Sequence, residues 1–170
     1  MSRAVVLLAL LAGACTPTFN WREMAVSPAN LHTTFPCKPD QAEHKAAILP
    51  GREVVLHAMG CETGGATFIV VYADLGSEAD LTDAIVEWKK ASLASTKSGV
   101  DREQPYLPAH ALGLSQSVMV RARGQRADGS AVQSQAAYFA RGTSVFQAVV
   151  YARALKPEMT EPFFTGLRFE

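Results

Sequence analysis

No apolar run in this 170-residue chain is long enough to cross a bilayer. A hydrocarbon core needs roughly 20 apolar residues, whereas Ala4 to Leu11 is a run of eight and FIVVYADL at 68-75 is broken by Asp74. Charge of one sign is also missing. Sixteen Lys and Arg stand against 16 Asp and Glu, so the chain lacks the basic surplus of a nucleic-acid-binding protein. Cysteine is scarce, with three residues, and neither a C-x-x-C nor an H-x-x-H spacing occurs, which removes the common sequence signatures of a structural metal site. The nucleophile elbow G-x-S-x-G is absent too: GLSQS at 113-117 carries Ser117 where the second glycine belongs. There is no internal repeat, low-complexity tract or composition break, so one domain is expected.

What is present begins with MSRAVVLLALLAGAC. Arg3 supplies a positive n-region and Ala4 to Leu11 the apolar segment of a signal peptide, expected over residues 1-14. Ala12-Gly13-Ala14 fits an ordinary secretory cleavage site, yet a cysteine directly after small residues also resembles a lipoprotein lipobox. Cysteine parity favours the second reading. Export brings the chain to a compartment where thiols pair; acylation of Cys15 with palmitate-type chains leaves Cys37 and Cys61 as an even pair, whereas a free Cys15 leaves one thiol over. Residues 15-20 then form a short lipid-anchored tether, the domain spans 21-170, and a membrane partner through the N-terminal lipid is expected. The localisation expected is the periplasm-facing cell envelope, with Thr16 after the cysteine resembling the outer-membrane pattern. Loss of Arg3 with the signal leaves 15 basic against 16 acidic side chains.

Alternating apolar patterns predict strands at WREMAV (21-26), LHTTF (31-35), EHKAAIL (43-49), REVVLHAMGCE (52-62) and ATFIVVYADL (66-75). Ser77 with Asp80 has the spacing of a capping box, and Leu81, Ala84, Ile85 and Trp88 share one face, so the spacing predicts an amphipathic helix over 78-98. VDREQPYLP reads as a loop over 100-108. LSQSVMVRARGQR (114-126), SAVQSQAAYFAR (130-141) and SVFQAVVYAR (144-153) follow as an antiparallel meander turned at Asp128-Gly129 and Gly142-Thr143. Pro157 ends it, Thr160 caps a short helix beginning at Glu161-Pro162, and Gly166 ends that helix before the closing LRF.

These elements predict an α+β sandwich, an antiparallel sheet packed with one long and one short helix. TTFPCKP, the strand pair PGREVVLHAMG and ATFIVVYADL, the helix after Asp74-Leu75, and the closing FFTGLRF together resemble the PsbP-like superfamily across residues 21-170. The resemblance implies a binding or assembly module rather than an enzyme, and it transfers no site residue.

Three function classes remain. The first is a non-catalytic envelope binding or accessory module, with an unknown protein or small-molecule partner, no nucleic acid and no cofactor. Its candidate recognition surface is Tyr106 and Leu107 between two prolines, with Arg121 and Arg123 on one face of a strand; if Asp128-Gly129 is the turn, Arg121 faces Ala136 and Arg123 faces Ser134, with no acid opposite. For that arginine pair a solvated sheet face with edge protection is the favoured reading. The second class is a periplasmic metal-binding protein: His57, Met59 and Cys61 share a strand face and Cys37 and His32 lie on an earlier strand, soft ligands suited to Cu(I) or Zn, with Cys37, His57 and Cys61 as the set. Against it stand a Cys37–Cys61 disulfide and a pair of unrelated buried thiols. A hydrolase is the third class. Phe19 and Trp21 belong either to a membrane interface or, as favoured here, to packing against a helix.

Overall fold

The computed structural model describes residues 18–170. The expected signal peptide and Cys15 lie outside the described residues. Strands β1 (Arg22–Val26) and β2 (Leu31–Phe35) form a hairpin. Strands β3 (Asp40–Leu49), β4 (Arg52–Thr63) and β5 (Ala66–Asp74) meander. Helix α1 (Leu81–Ser95) leads to β6 (Gly99–Pro105). A second meander of β7 (Val118–Gln125), β8 (Ala131–Arg141) and β9 (Ser144–Ala152) follows, then α2 (Pro157–Thr165) and β10 (Arg168–Phe169). Seven strands form an antiparallel sheet in the order β3-β4-β5-β9-β8-β7-β6, and three form a small sheet in the order β1-β2-β10. The fold is α+β, mostly antiparallel β with two helices.

Period-two alternation divides the large sheet between two cores. On one face Val71, Ala73, Val118, Val120, Ala136, Tyr138 and Val149 pack against Leu81, Ala84, Ile85 and Trp88 of α1. On the other, Phe68, Val70, Tyr72, Phe139, Phe146 and Val150 meet the small sheet and α2 through Leu31, Phe35, Phe163 and Phe169. The central strands β5 and β9 are covered on both sides, which is why their sequences are nearly continuous in apolar residues.

Four expectations are corrected. The segment 78-98 is not one helix: Ser77 Oγ accepts from the Ala79 N–H over a 3-10 turn (Glu78–Asp80), and α1 ends at Ser95, where Thr96 and Lys97 (φ 48°) turn the chain into β6. Asp80 does not complete a capping box; its carboxylate binds Arg52 at 2.6 Å. The supposed loop 100-108 is a strand as far as Pro105, because the open edge of β7 supplies a ladder that GVDREQP can join with its polar side chains in water. The last helix starts at Pro157 rather than Glu161. Pro157 occupies the first turn, where its missing N–H costs nothing, and Pro162 falls inside the helix.

The β7–β8 turn is the fourth. A two-residue Asp128-Gly129 loop would pair Arg121 with Ala136. Instead the Gly129 N–H donates to the Arg126 carbonyl, the Arg126 N–H donates to that of Ser130, and Gly129 sits at φ 82°. This three-residue loop with a left-handed glycine shifts the register by one, so Arg121 faces Gln135 and Arg123 faces Gln133.

Gly124 is where β7 passes the end of α1. A Cβ there would collide with the Thr96 carbonyl oxygen and lie 2.9 Å from the Ser98 Cα, and the adjacent Gln125 N–H donates to that same carbonyl at 2.7 Å. Gly124→Ala therefore has to separate strand from helix end, and the expected loss is about 2 kcal/mol. Equilibrium urea unfolding checks this; a loss within about 0.5 kcal/mol, the ordinary range for surface sites, would mean the two segments are not held together.

Candidate functional site

The small sheet and α2 cover only the middle of their face of the large sheet. On the β3–β4–β5 side an open cleft of about 520 Å³ remains, lined by Val26, Ser27 and Pro28 from the β1–β2 turn and by Glu43, His57, Met59, Tyr72 and Asp74 from the sheet. Its volume falls within the range of small-molecule sites, roughly 300–1,000 Å³.

The floor of the cleft follows from register. Glu43 of β3 faces His57 of β4, and His57 faces Tyr72 of β5. The row continues into the core through Phe146 and Phe139. Its rings stack in series: His57 on Tyr72 at 4.7 Å and 14°, Tyr72 on Phe146 at 5.8 Å and 26°, Phe146 on Phe139 at 5.3 Å and 1°. Thus a rigid aromatic ladder ends at the surface in an imidazole, whose Nδ1 lies 2.9 Å from Glu43 Oε1. The carboxylate fixes the ring on one side and Tyr72 fixes its plane. Burial, with the charge of Glu43 adding to it, raises the Tyr72 pKa, so the phenol stays a hydrogen-bond donor at neutral pH.

Asp74 closes one end of the cleft. Thr143 Oγ1 donates to its Oδ1 at 2.6 Å and the Gly76 N–H donates to the same atom at 2.9 Å. These bonds hold the carboxyl below the usual carboxylate range, against a small opposing effect of burial. A depressed carboxyl contributes stability that is complete above its unfolded pKa, about 4, and is lost as pH falls through the folded value. The stability difference between the parent and Asp74→Ala is accordingly expected at about pH 7 and should shrink below about pH 4, which denaturant titration at the two pH values reads out; a difference unchanged at low pH would sink the assignment.

The sequence-predicted residues scatter. Cys37 and Cys61 form a disulfide with Cα atoms 6.1 Å apart. Both sulfurs are thereby removed from the set Cys37, His57 and Cys61, and His32 belongs to the small sheet, where it meets Glu23 and Glu170. Among the described residues no group of three or more metal-ligating side chains occurs. Tyr106 is not an outward contact residue: its hydroxyl donates to the Phe164 carbonyl at 2.6 Å, its ring meets Phe139 and Phe164 edge-on, and burial pushes its pKa well above the ordinary range. Leu107 alone of that pair faces solvent, at 55% exposure. Trp21 packs edge-on against Phe68 at 5.7 Å and beside Phe19, so its partner is a strand rather than a helix. Arg121 and Arg123 share an exposed face, and an acid does reach Arg123: Asp101 Oδ2 lies 2.5 Å from its Nε.

The row Glu43, His57, Tyr72 was missed because it depends on the pairing of three strands. Gly64-Gly65 does give one half of it, since a two-residue turn pairing Thr63 with Ala66 brings His57 opposite Tyr72. The other half is hidden. Counting back from Leu49 opposite Arg52 would bring His44 to His57, but an irregularity between Ala47 and Leu49 moves the register to Glu43.

No protein-family model and no curated protein matches the sequence. Among solved structures, the chain is similar to a Pseudomonas aeruginosa protein of unknown function (13% identity, TM-score 0.45, covering 84% of this chain and 89% of that one). It is also similar to a Bacteroides thetaiotaomicron protein (9% identity, TM-score 0.46, 87% of this chain and 48% of that one).

Proposed function

We propose that this chain is a lipid-anchored, non-catalytic binding or accessory module of the cell envelope, PsbP-like in fold and joined to the membrane through Cys15. The observation that carries the binding reading is the Glu43–His57–Tyr72 row on the floor of an open cleft. A carboxylate, an oriented imidazole and a phenol there meet the apolar surfaces of Met59, Val26 and Pro28. Such a surface suits a small, partly apolar ligand or a peptide side chain with hydrogen-bonding groups, and Glu43 with Asp74 favours a neutral or cationic one. Three residues after Cys15 in sequence, the Thr18 carbonyl accepts from Thr63 Oγ1 at 2.9 Å, which ties that point of the chain to β4.

Two measurements test this. Cys15→Ala should stop the exported protein from partitioning with membranes; continued sedimentation with them would overturn the anchor. For the cleft, envelope extracts passed over the parent and over His57→Ala with Tyr72→Ala should yield material that only the parent retains. Equal recovery on the folded double variant would remove the cleft from the binding reading.

A further inference from the structure

The arginine groove at the opposite edge of the large sheet is a second binding site, and the geometry points to the phosphate of an anionic lipid headgroup as its occupant. On the β6–β7–β8 side the small sheet leaves another groove, of about 360 Å³, lined by Asp101, Arg102, Arg121, Arg123, Gln133 and Leu155 among others. Arg102 and Arg121 are directly opposite each other across the β6–β7 ladder, and both are exposed. Like charges in that relation destabilise a sheet. The nearby acids do not relieve them: Asp101 is taken by Arg123 and Glu103 by Lys89. The groove therefore carries three guanidinium groups against one carboxylate.

One further side chain adds a donor. Gln133, opposite Arg123, accepts the Leu155 N–H through its Oε1 at 2.9 Å, which leaves its amide nitrogen for the groove. Two planar guanidinium groups facing one another across a ladder suit a tetrahedral oxyanion held between them, since each presents paired N–H donors that match phosphate oxygens. A bound phosphate would turn the repulsion between Arg102 and Arg121 into attraction by a shared partner.

Register then selects a headgroup over a soluble anion. Thr63, which holds Thr18, lies in one cross-strand row with Ala66, Ala152, Gln133, Arg123 and Gly99. The adjacent row runs from Cys61 through Phe68, Val150 and Gln135 to Arg121 and Arg102. Two residues along a strand span about 7 Å and each strand step about 4.8 Å. The arginine pair is thus about 7 Å from the level of the attachment point and about 20 Å to its side, whereas the His57 row lies about 20 Å along the strands from that level. With Cys15 three residues before Thr18, about 10 Å of chain at full extension, the end that carries the arginines meets the membrane and the His57 cleft faces away from it.

This inference uses the anchor reading for its orientation, but its test does not use the lipid. The full chain carrying Cys15→Ser is mixed with vesicles of phosphatidylcholine alone or with phosphatidylglycerol added, and partition is compared with that of the same chain bearing Arg102→Ser and Arg121→Ser. Each basic group at an anionic surface multiplies partition about fivefold, so loss of both should lower it about 20–30-fold on the anionic vesicles. It should leave the neutral vesicles unchanged. Lys45→Ser with Lys90→Ser removes equal charge elsewhere and should have no effect. Any leader contributes equally to all variants, and melting temperatures confirm folding. Equal partition of the arginine variant and its parent would overturn the site, as would an equal drop in the lysine control. If inorganic phosphate shifts the amide signals of Arg102 and Arg121 but vesicle composition makes no difference, the occupant is a soluble anion and the headgroup assignment fails. Failure of Cys15→Ala to leave the membrane would count against the anchor alone.

Discussion

Reduction of the Cys37–Cys61 bridge is expected to lower the melting temperature by about 7–14 °C. The bond joins residues 24 apart in sequence, and for a loop of that size the chain-entropy relation gives about 3.5 kcal/mol. A loss of about 1 kcal/mol moves the midpoint of a domain in this size range by roughly 2–4 °C. The effect is large against the roughly 5–15 kcal/mol by which domains are typically stable. It is also directed: Cys37 follows the end of β2 in the small sheet and Cys61 lies in β4 of the large one, so the bridge staples the cover to the platform. Thermal melts with and without reductant measure the loss. Mass spectrometry of unreduced protein should show two protons fewer than the dithiol. Two free thiols in that sample, with a melting point raised by added Cu(I) or Zn, would overturn the staple and restore the ligand set Cys37, His57 and Cys61.

The strands were legible wherever one face is buried, because burial enforces the two-residue period that the sequence then carries. β4 and β8 read correctly for this reason. β6 did not: of its seven residues only Gln104 is less than exposed, so nothing in GVDREQP had to alternate, and the strand exists because a neighbour offers hydrogen bonds. Tyr106 misled by composition. An aromatic between prolines reads as a surface loop, but the chain beyond β6 bends back over the aromatic core, and only the three-dimensional path brings the ring to Phe139 and Phe164.

Both sites suffered from single-residue shifts. The glycine loop after Arg126 moved Arg121 from Ala136 to Gln135, and the irregularity near Ala47 exchanged His44 for Glu43 opposite His57. Period-two reasoning still assigned His57 with Met59 and Cys61, and Arg121 with Arg123, to common faces, since a face survives when a neighbour slips. What it could not supply was the row, and both candidate sites are properties of rows: one is built by Glu43, His57 and Tyr72, the other by Arg102 and Arg121.

Phe163→Ala is expected to have the other large effect, a loss of about 3–5 kcal/mol. Phe163 is fully buried, on the face of α2 that meets both sheets. Its ring lies 5.6 Å from Phe35 of β2 and 5.6 Å from Phe68 of β5, both at steep angles, and 5.2 Å from Phe164. Truncation removes a whole aromatic ring from the junction of three elements, and such edge-on pairs add to the cost of lost burial. The hydrogen bond from Thr34 Oγ1 to the Pro162 carbonyl, 2.7 Å, joins β2 to the same turn of α2. It limits how far the helix can move inward to fill the space, so a cavity should remain. Phe163→Leu restores most of the volume and should recover the greater part of the stability. Urea denaturation of the three proteins measures this, and limited proteolysis within 157–170 reports whether the helix has lifted from the sheet. A loss under about 1 kcal/mol for the alanine variant, with unchanged proteolysis, would show that α2 does not hold the small sheet to the large one.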